Sequence, residues 1–302
     1  MSRILYELRN PSTYKRALFA FLKAVLFSPR TLFRYVNARP LRYFTGFFAF
    51  LLAWSMLLIP SAYVVEEPGP TQDVLGKSYG EPVITVTGLK KPVDEDPGKL
   101  LLLTVDASGV PGYEVPTVSA LLAWNNPRSA ITPVEAVVPA GQDADAYEKE
   151  SNDEMNTSQS SAQDVALEYA RKKLGISTDG VKVKLHIDEI GGPSGGMMYT
   201  LGILDKLTDE HETGGKIIAG TGTIDKSLKI GAIGGIRLKM LGALRDGATW
   251  FLAPYDNCDE VVGHVPSGLK VVSVNTLDDA WKALKAIGSG KGTDKLPTCK
   301  VY

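Results

Sequence analysis

Residues 191–203 read GGPSGGMMYTLGI: a glycine-proline corner, one serine, two more glycines, then an apolar run with helical spacing. Pro193 and the flanking glycines force a tight turn, which sets Ser194 where a helix begins, its Oγ exposed near backbone N–H groups that have no helical partner. Such N–H groups can hold an oxyanion. Ser194 is therefore a candidate nucleophile, with Gly192, Pro193 and Gly195 shaping the turn and supporting the oxyanion. Its helix is expected to end near Thr208.

Outward from this turn the pattern alternates. VKVKLHI (181–187) and KIIAGTGTI (216–224) read as strands, and KSLKIGAIGG (226–235) as a strand with a glycine turn that opens a helix, IRLKMLGALRDG (236–247). TWFLAP (249–254) and LKVVSV (269–274) are further strands, and Thr276 caps a last helix over 277–287. Strands alternating with helices predict an α/β domain over 176–290. Upstream, 66–175 is β-leaning, with strands in PVITVTG (82–88) and KLLLLTVDASG (99–109), a short helix over 115–124, and a long polar helix over about 145–174 stopped by Gly175.

A serine hydroxyl is a weak nucleophile until a base takes its proton. His186, His211 and His264 show no triad spacing, and His186 falls on the polar phase of its strand. A lysine serves if burial among apolar groups keeps it neutral. Lys239 lies beside Ile236, Met240 and Ala243 on a glycine-entered helix, although spacing alone favours a solvated helix lysine.

Three segments decide between those readings. GGPSGGMMYTLGILDKLT (191–208), AGTGTID (219–225) and IGAIGGIRLKMLGALRDGATWFLAP (230–254) resemble, in order, the PSxG serine turn, the TG strand and the GGxxxK helix of the Lon family of serine proteases. The resemblance implies an α/β (α+β) Lon proteolytic domain of the ribosomal protein S5 domain 2-like type. It implies Ser194 as nucleophile, Lys239 as general base and Thr221 as the threonine that orients the lysine. Arg237 stays protonated and is no alternative base. Gly191 stands where many Lon proteases have an acid.

Composition adds the setting. With 302 residues and 44% apolar content the chain can build a core, so general disorder is excluded. Residues 1–43 hold nine Lys/Arg against Glu7 alone, while the remainder is acidic, which speaks against a nucleic-acid binder. Tyr43–Val65 carries no charge, and residues 44–65 are expected to form a retained transmembrane helix rather than a signal peptide. Basic residues before the span and Glu66 and Glu67 after it put the N-terminus in the cytoplasm and the body outside the cell membrane. Residues 14–27 read as an amphipathic helix lying on the inner leaflet, or as a cytoplasmic packing helix.

The expected organisation is a basic cytoplasmic segment (1–43), the membrane helix (44–65), an extracytoplasmic region (66–175), the proteolytic domain (176–290) and a tail (291–302). That order resembles bacterial membrane-anchored Lon-like proteins, which commonly carry a PDZ module before the protease strand. The connection from Gly175 to Gly180 is too short for one. GSGKGT (288–293) mimics part of a phosphate loop, but Lys285 stands at its first glycine and a helix precedes it, so no nucleotide or other cofactor is expected. Cys258 and Cys299 show no metal-ligand spacing; they are either a disulfide that pins the tail or two thiols, and no metal is expected. The chain reads as a membrane-anchored serine endopeptidase acting on polypeptides, with hexamer formation implied by the resemblance alone. The alternative is a catalytically silent scaffold on the same fold.

Overall fold

The computed structural model describes residues 41–139, 141–186 and 192–300. The basic segment and the helix expected at 14–27 lie outside the described residues, as does Gly191.

Two compact units divide at residue 60. In the first, the apolar stretch forms α1 (Leu41–Leu58). Phe47, Phe48, Phe50, Leu52, Trp54, Met56 and Leu58 are all more than half exposed or at half exposure. The span expected at 44–65 is corrected here: among the described residues no helix is long and apolar enough to cross a membrane. Residues 63–65 belong instead to a strand, because Pro60 cannot continue a helix and the β-branched Val64 and Val65 bury in the second unit.

The second unit, Pro60–Tyr302, is built on twelve strands among the described residues. β1 (Tyr63–Asp73), β5 (Lys99–Ser108), β6 (Ala130–Pro133), β8 (Ile217–Gly220), β11 (Trp250–Pro254) and β12 (Lys270–Val274) form one sheet in the order β12-β11-β8-β5-β1-β6. β5, β8, β11 and β12 run parallel; β1 is antiparallel to both its neighbours. Three ribbons complete the set: β2 (Lys77–Ser78) with β3 (Glu81–Pro82), β4 (Ile84–Thr87) with β7 (Lys182–Leu185), and β9 (Thr223–Ile224) with β10 (Ile230–Gly231).

This sheet bears on two expectations. The regions expected at 66–175 and 176–290 share one sheet: the strands between 63 and 133 lie side by side with those between 217 and 274, joined through the parallel β5–β8 pair, within one compact unit. The segment 226–235 contributes only the two residues of β10, because the glycines spend it on turns. β1 itself escaped the sequence reading. Pro68 and Pro70 argue against a strand that pairs on both sides, and the register shift between Pro68 and Thr71 is how the sheet admits them. Gly69 fits there because a Cβ would stand 2.4 Å from Thr104 Oγ1.

The helices are α2 (Thr117–Ala123), α3 (Val134–Val137), α4 (Ala144–Lys173), α5 (Gly196–Asp205), α6 (Ile236–Arg245), α7 (Cys258–Val261) and α8 (Leu277–Ser289). Strand alternation assigns the two faces of the sheet. Leu100, Leu102, Ile218, Leu252 and Val272 pack with α4, α5 and α8; Leu101, Leu103, Ala219, Phe251 and Ala253 pack with α6. All ten residues of α5 are buried, which is why its sequence is apolar all round. Each of its large side chains contributes about 1.5–3 kcal/mol by leaving water. Asp143 caps α4, and Thr276 with Asp279 forms a capping box on α8.

The C-terminal segment is not a free tail. Ser273 N–H donates to Pro297 O at 2.9 Å along the edge strand β12, and Cys258 and Cys299 are joined as a disulfide with Cα atoms 4.9 Å apart.

Candidate active site

The crevice at the carboxyl ends of the parallel strands is where an open α/β sheet offers its backbone ends to a ligand. Thr221 stands there, one residue past β8. Elements from both faces converge on it. From one face comes the turn before α5, a single 3-10 turn over Pro193–Gly195 entered through Gly192 at φ 90°. From the other comes α6, entered through Gly235 at φ 67°. Both glycines hold a left-handed conformation that most side chains resist.

Ser194 is half-buried in its turn. Its carbonyl accepts two hydrogen bonds, from Gly222 N–H at 2.8 Å and Thr221 Oγ1 at 3.1 Å, so the turn is fixed to the end of β8. Ser158 of α4 anchors it from the other side, donating to Pro193 O at 3.0 Å. Gly195 is buried against β5, where a Cβ would lie 2.4 Å from Leu102 Cδ1. Three N–H groups of the turn are committed: Gly192 to Ser151 O, Gly196 to Pro193 O and Met197 to Gly222 O. Gly192 thus shapes the turn rather than presenting a free donor. Ser194 N–H has no partner among the described residues.

Lys239 is 4% exposed, and its Nζ donates to Thr221 Oγ1 at 3.3 Å. One hydroxyl therefore touches both the lysine amine and the backbone of Ser194. Burial pushes the lysine down to about 8, against a partial counter-pull from Glu66. Glu66, opposite Ala107 in the β1–β5 pairing, is raised by its own burial, with Lys239 pulling the other way. The structure thus joins Ser194, Thr221 and Lys239 through hydrogen bonds, with Pro193 and Gly195 in the same turn. Cys258 and Cys299 are elsewhere, at the β12 edge.

Glu66 and Ser158 were not legible as site residues. Glu66 read as a polar flank to an apolar run, and only the β1–β5 pairing brings it near Lys239; Ser158 sits on a helix that read as merely polar. A cleft of about 630 Å³ abuts the turn, lined by Pro193, Thr223 and Ile224 and by the α4 side chains of Lys149, Glu150, Asp153 and Glu154. Among the described residues no histidine bonds to Ser194, Thr221 or Lys239.

Residues 112–286, more than half of the chain, match the model of the Lon protease (S16) C-terminal proteolytic domain. The chain belongs to the Lon protease family. It is 30% identical over 175 residues to Lon protease 2 of Herpetosiphon aurantiacus, covering 54% of this chain and 21% of that protein. It is 31% identical over 181 residues to Lon protease 1 of Sorangium cellulosum, covering 56% and 22% respectively. A shorter match, 36% over 94 residues, links it to Lon protease of Fusobacterium nucleatum. The chain thus spans about a fifth of the length of the first two relatives and 12% of the third. The mixed α/β architecture agrees with that family.

Proposed function

We propose that this Lon-family chain is a serine endopeptidase that cleaves polypeptides with Ser194 as nucleophile and Lys239 as general base. The observation that carries the reading is the Thr221 hydroxyl, which gives its proton to Ser194 O and takes an N–H from Lys239 Nζ. A hydroxyl used this way holds the amine as an acceptor and leaves the nitrogen lone pair for Ser194. The lysine, already pushed down to about 8, supplies a neutral amine at mildly alkaline pH.

The cycle follows from these groups. Neutral Lys239 takes the Oγ proton as Ser194 attacks the peptide carbonyl, and Ser194 N–H with the α5 N-terminus faces the oxyanion. Collapse breaks the C–N bond as the Lys239 ammonium gives its proton to the leaving amine, which returns the lysine to neutrality and leaves an acyl-serine. Water, deprotonated by the same lysine, then frees the carboxylate and regenerates the serine. No nucleotide enters these steps. The test is hydrolysis of casein by the full chain without ATP: cleavage that Ser194→Ala abolishes supports the reading, and equal cleavage by that variant rejects it.

We further propose that the body faces the outside of a membrane to which α1 attaches. A largely exposed helix with no charge from Thr45 to Leu58 favours a lipid surface, and the Cys258–Cys299 disulfide favours an oxidising compartment. Flotation of the full chain with liposomes, compared with a Leu51→Lys/Leu52→Lys variant, tests the attachment. Self-association into a ring rests on family resemblance, and sedimentation in detergent measures it.

A further inference from the structure

At the far end of α5 from Ser194, three carboxyl groups meet. Asp205 closes the helix, Glu212 follows it in the next loop, and Asp96 enters from the loop before β5. One oxygen from each lies within 4.8 Å of the other two. Asp205 is 4% exposed and Glu212 3%. Buried carboxylates in such numbers normally find cations or donors. These find few. Asp205 Oδ2 and Glu212 Oε2 are enclosed and receive no hydrogen bond, and the Asp205 carboxyl meets only the carboxyls of Asp96 and Glu212. The neighbouring acids do better: Asp209 pairs with Lys91 and Glu210 with Lys285, whereas no ion pair reaches Asp96, Asp205 or Glu212 among the described residues.

The surrounding donors hold the carboxyls in place without neutralising them. Asp96 accepts from Gly98 N–H at 2.8 Å, Thr213 N–H at 2.9 Å and the Thr213 hydroxyl; Glu212 Oε1 accepts from Thr208 Oγ1 at 2.5 Å. Asp96 and Glu212 are oriented from behind, while the enclosed oxygens of Asp205 and Glu212 stay open. Asp96 and Asp205 also line a cleft of about 600 Å³ together with Asp73, Asp94 and Glu95, which gives an acidic route from solvent.

We infer that Asp96, Asp205 and Glu212 form a binding site for a hard divalent cation, calcium by size. An all-oxygen, multiply anionic donor set selects hard cations over zinc or copper. Calcium sits at about 2.3–2.6 Å from each ligand, so its ligands stand up to roughly 5 Å apart, as these do, and its loose coordination lets water complete the shell. Bound there, the ion would tie the last turn of α5 to the loop before β5. That gives the serine helix a fixed far end, independently of whether the serine cuts peptides. The rival occupant is a proton, since burial, added to the Asp96 and Glu212 charges, pushes the Asp205 carboxyl up to about 9.

The experiment uses the full chain with Ser194→Ala, stripped by chelator, so its outcome does not depend on proteolysis. Calorimetric titration with calcium chloride at pH 7.5 is expected to show one ion per chain, and thermal melting a saturable rise in Tm. Asp205→Asn should weaken binding by tenfold or more. Should that variant fail to fold, Asp96→Asn, at the half-buried ligand, is expected to give the same loss. Binding of calcium with unaltered affinity in Asp96→Asn, or no saturable binding of calcium, magnesium or manganese by the parent, overturns the site and leaves the proton as occupant.

Discussion

The two ends of α5 solve the same problem in opposite ways. At its N-terminus a single buried lysine is stripped of most of its counter-charge and held by a hydroxyl; at its C-terminus three carboxyls are gathered with no cationic side chain to meet them. Both are electrostatically unfavourable arrangements that an ordinary core would replace with apolar groups. Under the proposed mechanism the lysine end has a chemical use for its imbalance, because only a neutral amine can take a proton from serine. The acid end, on the inference above, is balanced by a cation taken from solution. A buried charge is thus informative only together with the groups that surround it.

The sharpest break in this comparison is at the serine end. Ser194→Ala, or Lys239→Met, is expected to lower kcat/KM for peptide cleavage by about a thousandfold or more, and the double variant no further, since the two act as a unit. Circular dichroism should show the fold retained. Unequal or additive losses would separate the pair and give Lys239 another role.

Next in size is Thr221→Val, which removes the hydroxyl that holds the amine. Activity should fall about 10- to 100-fold with little change in Tm, and Thr221→Ser should restore most of it. A similar loss in both variants would make the threonine methyl, rather than the oxygen, the important part.

Stability gives a third test with the reverse sign. Lys239 titrates lower in the folded chain than the ordinary 10.5, so between about 8 and 10.5 the unfolded state binds more protons and stability rises with pH. At pH 7 the lysine is a cost, and Lys239→Met should stabilise by about 1–3 kcal/mol in denaturant unfolding. Gly195→Ala should do the opposite, losing about 1–3 kcal/mol as its methyl meets Leu102.

The smallest effect is in the pH profile. A base that must be neutral makes kcat/KM rise with pH to a plateau above about 8. Glu66 raises the lysine, so Glu66→Gln should move that rise to lower pH by a fraction of a unit to a unit. A shift to higher pH would mean that Glu66 acts otherwise than through its charge.

What the sequence made legible follows the same division. The serine turn, the TG strand and the lysine helix each carry local signals, glycines at turns and apolar spacing on helices, and those residues do meet. The acid cluster carries none. Asp96 and Glu212 sit in unremarkable polar loops more than a hundred residues apart, and Asp205 ends an apolar helix; the packing of α5 against β5 brings them together. β1 was lost for a different reason, since Pro68, Gly69 and Pro70 read as a loop wherever no bulge is foreseen. The same blindness let residues 63–65 be counted as membrane helix, because Val64 and Val65 are as apolar in a strand as in a span.

The convergence on Thr221 from opposite faces of the sheet has a consequence for the life of the molecule. The serine turn belongs to one layer and the lysine helix to the other, and Thr221, just past the tip of the strand between them, bonds to both. Neither layer alone, nor the sheet with one face uncovered, contains a paired nucleophile and base. On the proposed mechanism a chain that is still emerging or half folded would lack the pair and could not cut its neighbours, and completion of folding would itself arm the site.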